Sequence, residues 1–141
     1  MKTILISIAI IALYSCNKTK IDCEGKFIDY GTEEYLVIEE IAKKIDKLKD
    51  GGNIKDAITT SLQAIEIYPC ESAFYANLAN LYYKNSELIK TEKYHKIAIE
   101  IDPNHPHIYF IYYNLSNVLT DLEKHDEAKF WKDKGKSLDP R

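Results

Sequence analysis

The sequence predicts an all-α fold, a stack of antiparallel helix pairs in three successive units. Three observations carry this. Pro69 follows Ile67-Tyr68, Pro103 follows Ile101-Asp102 and Pro140 follows Leu138-Asp139, so similar stretches end in proline at spacings of 34 and 37 residues. Between the prolines, large and small residues alternate at helical spacing, as in Tyr75, Leu78, Ala79 and Tyr82, the mark of a half-buried helix. Each unit is also broken near its middle by turn-forming residues, Asp50-Gly51-Gly52-Asn53 in the first and Lys84-Asn85-Ser86 in the second.

The chain has 141 residues, enough for one domain. Hydrophobic residues make up 45% and charged residues 29%, which permits a buried core and excludes wholesale disorder. The net charge of -3 argues against nucleic acid as the partner, because such binders carry a basic stripe. Eleven tyrosines suit core edges and interfaces, since the ring is apolar and its tip polar.

The first element, residues 1–15, reads as a targeting segment. Lys2 supplies a positive start and Ile4 to Leu13 is apolar except for Ser7. That run is too short to cross a bilayer as a helix, which takes about 20 residues, and has the length of a signal-peptide core. It ends in Leu13-Tyr14-Ser15-Cys16, which resembles a bacterial lipobox. The resemblance implies cleavage before Cys16, a lipid on Cys16, export, and anchorage of the protein in the bacterial cell envelope, to the outer or the plasma membrane. Residues 16–31 then form a tether ahead of a helical domain at 32–141. Cys23 and Cys70 would sit in a disulfide-permissive compartment. Two readings stand for them. One is a bridge closing a 47-residue loop, which contributes about 4 kcal/mol in the chain-entropy model; the other is two free thiols.

With each proline at position 32 of its unit, the units run over 38–71, 72–105 and 109–141. A period near 34 belongs to one repeat class in particular, and the residues agree. In the second unit Tyr75, Leu78, Ala79 and Tyr82 fall in the first helix, then Leu88 and Ala98 in the second. The third gives Tyr112, Leu115, Ser116 and Leu119, then Ala128 and Gly135; the first gives Ile41 and Leu48, then Ile54, Ala57 and Ala64. This pattern resembles the tetratricopeptide repeat. The resemblance implies a right-handed superhelix, an α-solenoid, in which small residues at positions 8, 20 and 27 let paired helices approach and large ones fill the space around them. Lys44 and Ile45 in the first unit, Thr91 in the second and His125 in the third depart from it.

The turns fit the frame. Thr32 reads as a cap before the acidic Glu33-Glu34, giving a helix from about Glu33 to Lys49. Asn53 and Asp126 stand where caps are expected, and Pro106 where it would open a lengthened helix.

No catalytic motif occurs: there is no glycine-rich phosphate loop, no Cys-x-x-Cys and no His-Glu-x-x-His. The chain therefore reads as a non-enzyme without cofactor or metal. Asp102, His105 and His107 cluster in one turn, where a solvated turn explains them better than a ligand set. His95 falls on a helix-packing seam and reads as a packed imidazole.

The resemblance places the binding surface in a concave groove lined by the first helix of each repeat. There the second unit offers Asn77, Asn80, Tyr83 and Lys84, and the third Phe110, Tyr113, Asn114 and Asn117. Asparagine costs up to about 0.7 kcal/mol against alanine in a helix, so its recurrence at matched places asks for a reason. An amide both donates and accepts, so Asn80 and Asn117 could grip the backbone of an extended peptide. Chaperone-binding relatives clamp a carboxylate with Lys and Asn at places that here hold Ala42 and Asp46, so that clamp is not expected. The function this implies is protein or peptide binding at a membrane, as an accessory to envelope assembly by analogy with repeat-bearing lipoproteins. A self-associating structural module is the alternative. The seam that would receive a further repeat carries Lys129, Lys132 and Lys136, which predicts a monomeric isolated domain.

Overall fold

The computed structural model describes residues 21, 23, 28, 29 and 31–141. The signal segment 1–15 and the lipobox cysteine Cys16 lie outside these residues. Among the described residues there are six helices and no strand: α1 (Glu33–Asp50), α2 (Ile54–Ile67), α3 (Ser72–Lys84), α4 (Leu88–Ile101), α5 (Ile108–Asp121) and α6 (His125–Leu138). The main contacts run between consecutive helices, and α3 with α4 and α5 with α6 are the closest pairs. The fold is an all-α helical repeat solenoid.

Local chemistry sets the helix ends. Thr32 Oγ1 accepts a hydrogen bond from the Tyr35 amide at 3.2 Å, ahead of Glu33 and Glu34 in the first turn, where carboxylates suit the positive helix end. The odd-numbered helices all close in the same way. The amides of Asn53, Glu87 and Lys124 reach back to the carbonyls of Leu48, Tyr82 and Leu119 at 2.9, 2.9 and 2.8 Å. This is the Schellman closure, which needs a left-handed residue just past the helix. Those residues are Gly52 (φ +80), Ser86 (φ +60) and Glu123 (φ +61). They repeat with the period of the prolines.

Three expected details differ. Asn53 precedes α2 but its side chain makes no capping bond; its backbone amide already closes α1. Asp126 lies inside the first turn of α6, and Lys124 occupies the cap position. Pro106 stays in the turn before α5, which begins at Ile108 after His107. There the His107 amide bonds His105 Nδ1 at 3.1 Å, so the turn is held by its own side chain.

The core follows the repeat pattern. Ala57, Ala79 and Ala98 are fully buried, and so are Leu78, Leu115 and Leu119. Ser116 Oγ donates to the Ala128 carbonyl at 2.7 Å, tying α5 to α6. Two departures are absorbed. Thr91 is buried with its hydroxyl donating to the Glu87 carbonyl at 3.1 Å. Ile45 enters the cluster of Ala57 and Ala64, while Lys44 turns to solvent.

The seam between the second and third units is polar as well as apolar. Glu92 accepts hydrogen bonds from Lys96 and Lys124, each at 2.7 Å, and Lys96 also reaches Glu127 at 3.2 Å. Burial works against a charge on Glu92, but the two lysines outweigh it and hold its carboxyl below the usual range. His95 beside it is 1% exposed, and among the described residues its Nδ1 has no hydrogen-bond partner. Burial pushes that imidazole down to about 4. By contrast Lys129, Lys132 and Lys136 are exposed. Phe130 is exposed, whereas Trp131 is half-buried against Tyr112, ring centres 5.2 Å apart.

Cys23 and Cys70 form a disulfide, Cα atoms 5.4 Å apart. Cys23 is buried in a cluster with Tyr75, Ala98 and Ile101. The chain at Cys23, assigned by its position to the tether, is thus fastened to the domain.

Candidate functional site

The residues expected to bind lie on α3 and α5, and these helices touch one another through them. Asn80 and Asn114 meet side chain to side chain, with Nδ2 of Asn114 3.4 Å from Oδ1 of Asn80. At the far end of the same helices the Tyr83 hydroxyl donates to Asp121 at 2.8 Å. That carboxylate raises the Tyr83 pKa, since ionised tyrosine would lose the bond and face a like charge. Asn77 is half-buried, and Asn117 and Lys84 are exposed. Among the described residues Asn77 and Asn117 have no hydrogen-bonded side-chain partner, so their amides stay open to a ligand.

Phe110 and Tyr113 are differently placed. Phe110 is 49% exposed, its ring tilted by 34° against Tyr109 at 4.3 Å and faced by the Arg141 guanidinium at 5.7 Å. Tyr113 packs against Gly135, where an added Cβ would lie 3.0 Å from its ring. Its hydroxyl donates to Asp139 at 3.1 Å. Burial and that carboxylate both raise the Tyr113 pKa. Asp139 in turn holds Arg141 at 2.7 Å, and this pairing keeps the Asp139 carboxyl well below the usual range. The segment after α6 therefore lies across the start of α5. Asp139 and Arg141 were not singled out in the sequence, because they follow the last helix and helical spacing says nothing about them.

A cleft of about 940 Å³ opens where α1 and α3 begin. Ile38, Ala42 and Tyr68 form part of its wall, and Glu34, Glu39, Glu71 and Asp102 its rim; no lysine or arginine stands among its described lining residues. No three His, Cys, Asp or Glu side chains among the described residues come together to hold a metal ion. Asp102, His105 and His107 share a turn without forming such a group.

The paired helices, the small residues between them and the common closure of each first helix are the marks of one repeat type. Residues 111–141 match the tetratricopeptide repeat family. The matched stretch is the unit framed at 109–141 and takes in α6 with nearly all of α5. It supports the tetratricopeptide reading, and with it a protein-interaction scaffold. No curated protein matches the chain. Asn77 and Asn80 stand on the first helix of the second unit, and Asn114 and Asn117 on the first helix of the third. Among the described residues no helix is long and apolar enough to cross a membrane.

Proposed function

We propose that this chain is a peptide- or protein-binding scaffold, held at a membrane of the bacterial envelope by lipid on Cys16 and binding through the groove formed by α1, α3 and α5. The observation that carries the binding half is the pair of open amides, Asn77 and Asn117, on either side of the mutually bonded Asn80 and Asn114. Each open amide offers donors and an acceptor, the set that a strand-like peptide backbone satisfies whatever its side chains. Tyr83 and Phe110, 44% and 49% exposed, add apolar area at the two ends of this row. The acid-rimmed cleft favours a ligand that carries positive charge. The membrane half rests on the apolar run ending in Leu13-Tyr14-Ser15-Cys16. A role as an accessory to envelope assembly is the cellular setting this reading points to.

Two experiments test the halves separately. A photo-crosslinking residue at Asn117 should capture a discrete protein from intact cells, and the same residue at Lys55, on the exposed side of α2, should not. Equal capture at both positions would remove the groove from the reading. Radiolabelled palmitate should enter the wild type and not Cys16→Ala; equal labelling of both removes the anchor.

A further inference from the structure

Asp139 follows α6 and is fixed from two helices. Its amide donates to the Gly135 carbonyl of α6 at 3.0 Å, and its Oδ2 accepts from the Tyr113 hydroxyl of α5 at 3.1 Å. Arg141 lies against it from the other side. Its Nε and Nη2 donate to the two carboxylate oxygens at 2.9 and 2.7 Å, and the same guanidinium stands 5.7 Å from the centre of the Phe110 ring. With this pair closed the Asp139 side chain is 11% exposed and the Arg141 side chain 69%. The carboxylate thus belongs to the body of the domain, and the guanidinium rests on it from solvent. We propose that Asp139, Tyr113 and Phe110 form a guanidinium site at the start of α5, which Arg141 fills in the free protein and which an arginine of the bound peptide takes over. The proposal deepens the groove reading and rests on it for the ligand being a peptide.

The chemistry selects arginine. Two N–H groups in a planar fork match two carboxylate oxygens, and a flat guanidinium also covers an aromatic face. A lysine ammonium has no such fork, and an uncharged group loses the attraction to the ring as well as to the carboxylate. Arg141 is an occupant that a ligand can displace, because an ion pair open to water contributes little. The surroundings share the preference for positive charge. The acid-rimmed cleft reaches Asp102 and His105, in the turn that leads into α5, with no lysine or arginine among its described lining residues. Asn114 and Asn117 stand about 6 and 10 Å further along α5 from Phe110 at 1.5 Å per residue, so one peptide can meet both the arginine site and the open amide.

The test titrates the blocked peptide acetyl-Ala-Arg-Ala-amide into the full chain in maltoside micelles, followed by the Phe110 and Tyr113 side-chain resonances. Versions with lysine and with citrulline, which keeps the shape of arginine without its charge, serve as comparisons. The arginine peptide should bind saturably, and the other two about threefold or more weaker. Arg141→Ala should tighten arginine-peptide binding about fivefold, because the resident side chain leaves the site open in only a fraction of molecules. Asp139→Asn and Phe110→Ala should each weaken it by about threefold or more. Phe110 is exposed, so its replacement leaves the core alone should the Asp139 variant lose helicity. Citrulline binding as tightly as arginine overturns the site, and so does binding that Arg141→Ala leaves unchanged or weakens. No binding to Arg141→Ala at millimolar peptide, with capture at Asn117 intact, also overturns it and leaves the groove standing. Arginine binding at Phe110 with no capture at Asn117 keeps the site and removes the groove.

Discussion

The Asn114 amide meets the Asn80 amide at 3.4 Å across α5 and α3, and the two residues are separated by 34 positions. A long contact of this kind is at the weak end of hydrogen bonding, so it orients the two amides without consuming them. It also divides the four groove asparagines into an inner pair and two outer ones. Replacing Asn77 and Asn117 with alanine should weaken capture of the partner. Thermal stability should be equal or slightly higher, because alanine favours helix by up to about 0.7 kcal/mol per site. Thermal melts and crosslinking yield, measured together, check this; unchanged yield would show the amides to be bystanders.

The bond from Tyr83 to Asp121 joins the far ends of the same helices. Tyr83→Phe should lower stability by at most about 1 kcal/mol, and by less than that because both groups face water. The same change should leave the asparagine contact in place. Urea denaturation gives the first number, and the side-chain amide resonances of Asn80 and Asn114 report the second.

Ser86 and Glu123 hold the left-handed position that glycine holds at residue 52. Both are exposed, and among the described residues neither side chain makes a hydrogen bond that would compensate. Left-handed backbone costs a residue with a Cβ roughly 1 kcal/mol or more, and glycine nothing. Ser86→Gly and Glu123→Gly should therefore each stabilise the protein by up to about 1 kcal/mol, less the entropy glycine adds to the unfolded chain. Calorimetric midpoints that fall in both variants would contradict this account of the turns.

These turns show what the sequence made legible and what it did not. The six helices could be read because small residues such as Ala57, Ala79 and Ala98 and large ones such as Leu78 and Leu115 recur on a helical period, and Gly52 announced the first closure. Ser86 and Glu123 close their helices through backbone geometry that their side chains do not advertise. The start of α5 was misplaced for a similar reason: Pro106 is chemically suited to a first turn, but His105 closes the loop against the His107 amide and delays the helix. The candidate site was legible as a face and not as a network. Which asparagine meets which depends on the offset between successive helix pairs, which the repeat period does not encode. Arg141 over Phe110 and Asp139 beside Tyr113 depend on a segment outside any helical pattern.

Gly135 and Tyr113 should behave as a coupled pair. An alanine Cβ at 135 would lie 3.0 Å from the Tyr113 ring, closer than packed atoms settle. Gly135→Ala alone should be destabilising, because the ring must move and its hydroxyl leaves Asp139. In a Tyr113→Ala background the obstacle is gone, and the same change should stabilise by up to about 1 kcal/mol through helix propensity. A double-mutant cycle reads the sign reversal directly; two independent, additive effects would mean that the ring is not what excludes a side chain at 135.

His95 predicts an acid limb in the stability curve. Its folded-state pKa is lowered to about 4 by burial, from an ordinary 6.5. The unfolded chain then binds the proton more readily between these values, so stability rises with pH across that window. The contribution is complete above about pH 6.5 and is lost progressively as the pH falls to about 4, an amount on the order of 3 kcal/mol. His95→Phe puts an aromatic ring in the same seam without a titrating atom or an orphaned nitrogen, and should flatten this limb. Denaturation midpoints at a series of pH values test it, and an unchanged slope between pH 4 and 6.5 would assign the acid sensitivity to other groups, with Glu92 next in line because Lys96 and Lys124 hold its carboxyl ionised.

The last prediction concerns the outer seam of α6. In the second unit the residues that receive the following helix pair are Glu92, His95 and Ile99, all buried. The equivalent residues of the third unit are Lys129, Lys132 and Lys136, all exposed, and they lie on one helical face. A second copy stacked end to end would have to lay its own α1 there. On α1 the place held by Leu78 in α3 and Leu115 in α5 is taken by Lys44, which is exposed. Stacking would therefore bring lysine against lysine where the internal junctions bury leucine, and like charges so opposed disfavour the contact. Leu36 and Val37 near the start of α1, 54% and 48% exposed, offer too little apolar area to offset this. The lipid-free Cys16→Ala protein should accordingly sediment as a monomer at micromolar concentration. Lys132→Glu should leave that state unchanged in low salt. A wild-type dimer that Lys132→Glu dissolves would show that the lysine row is an interface.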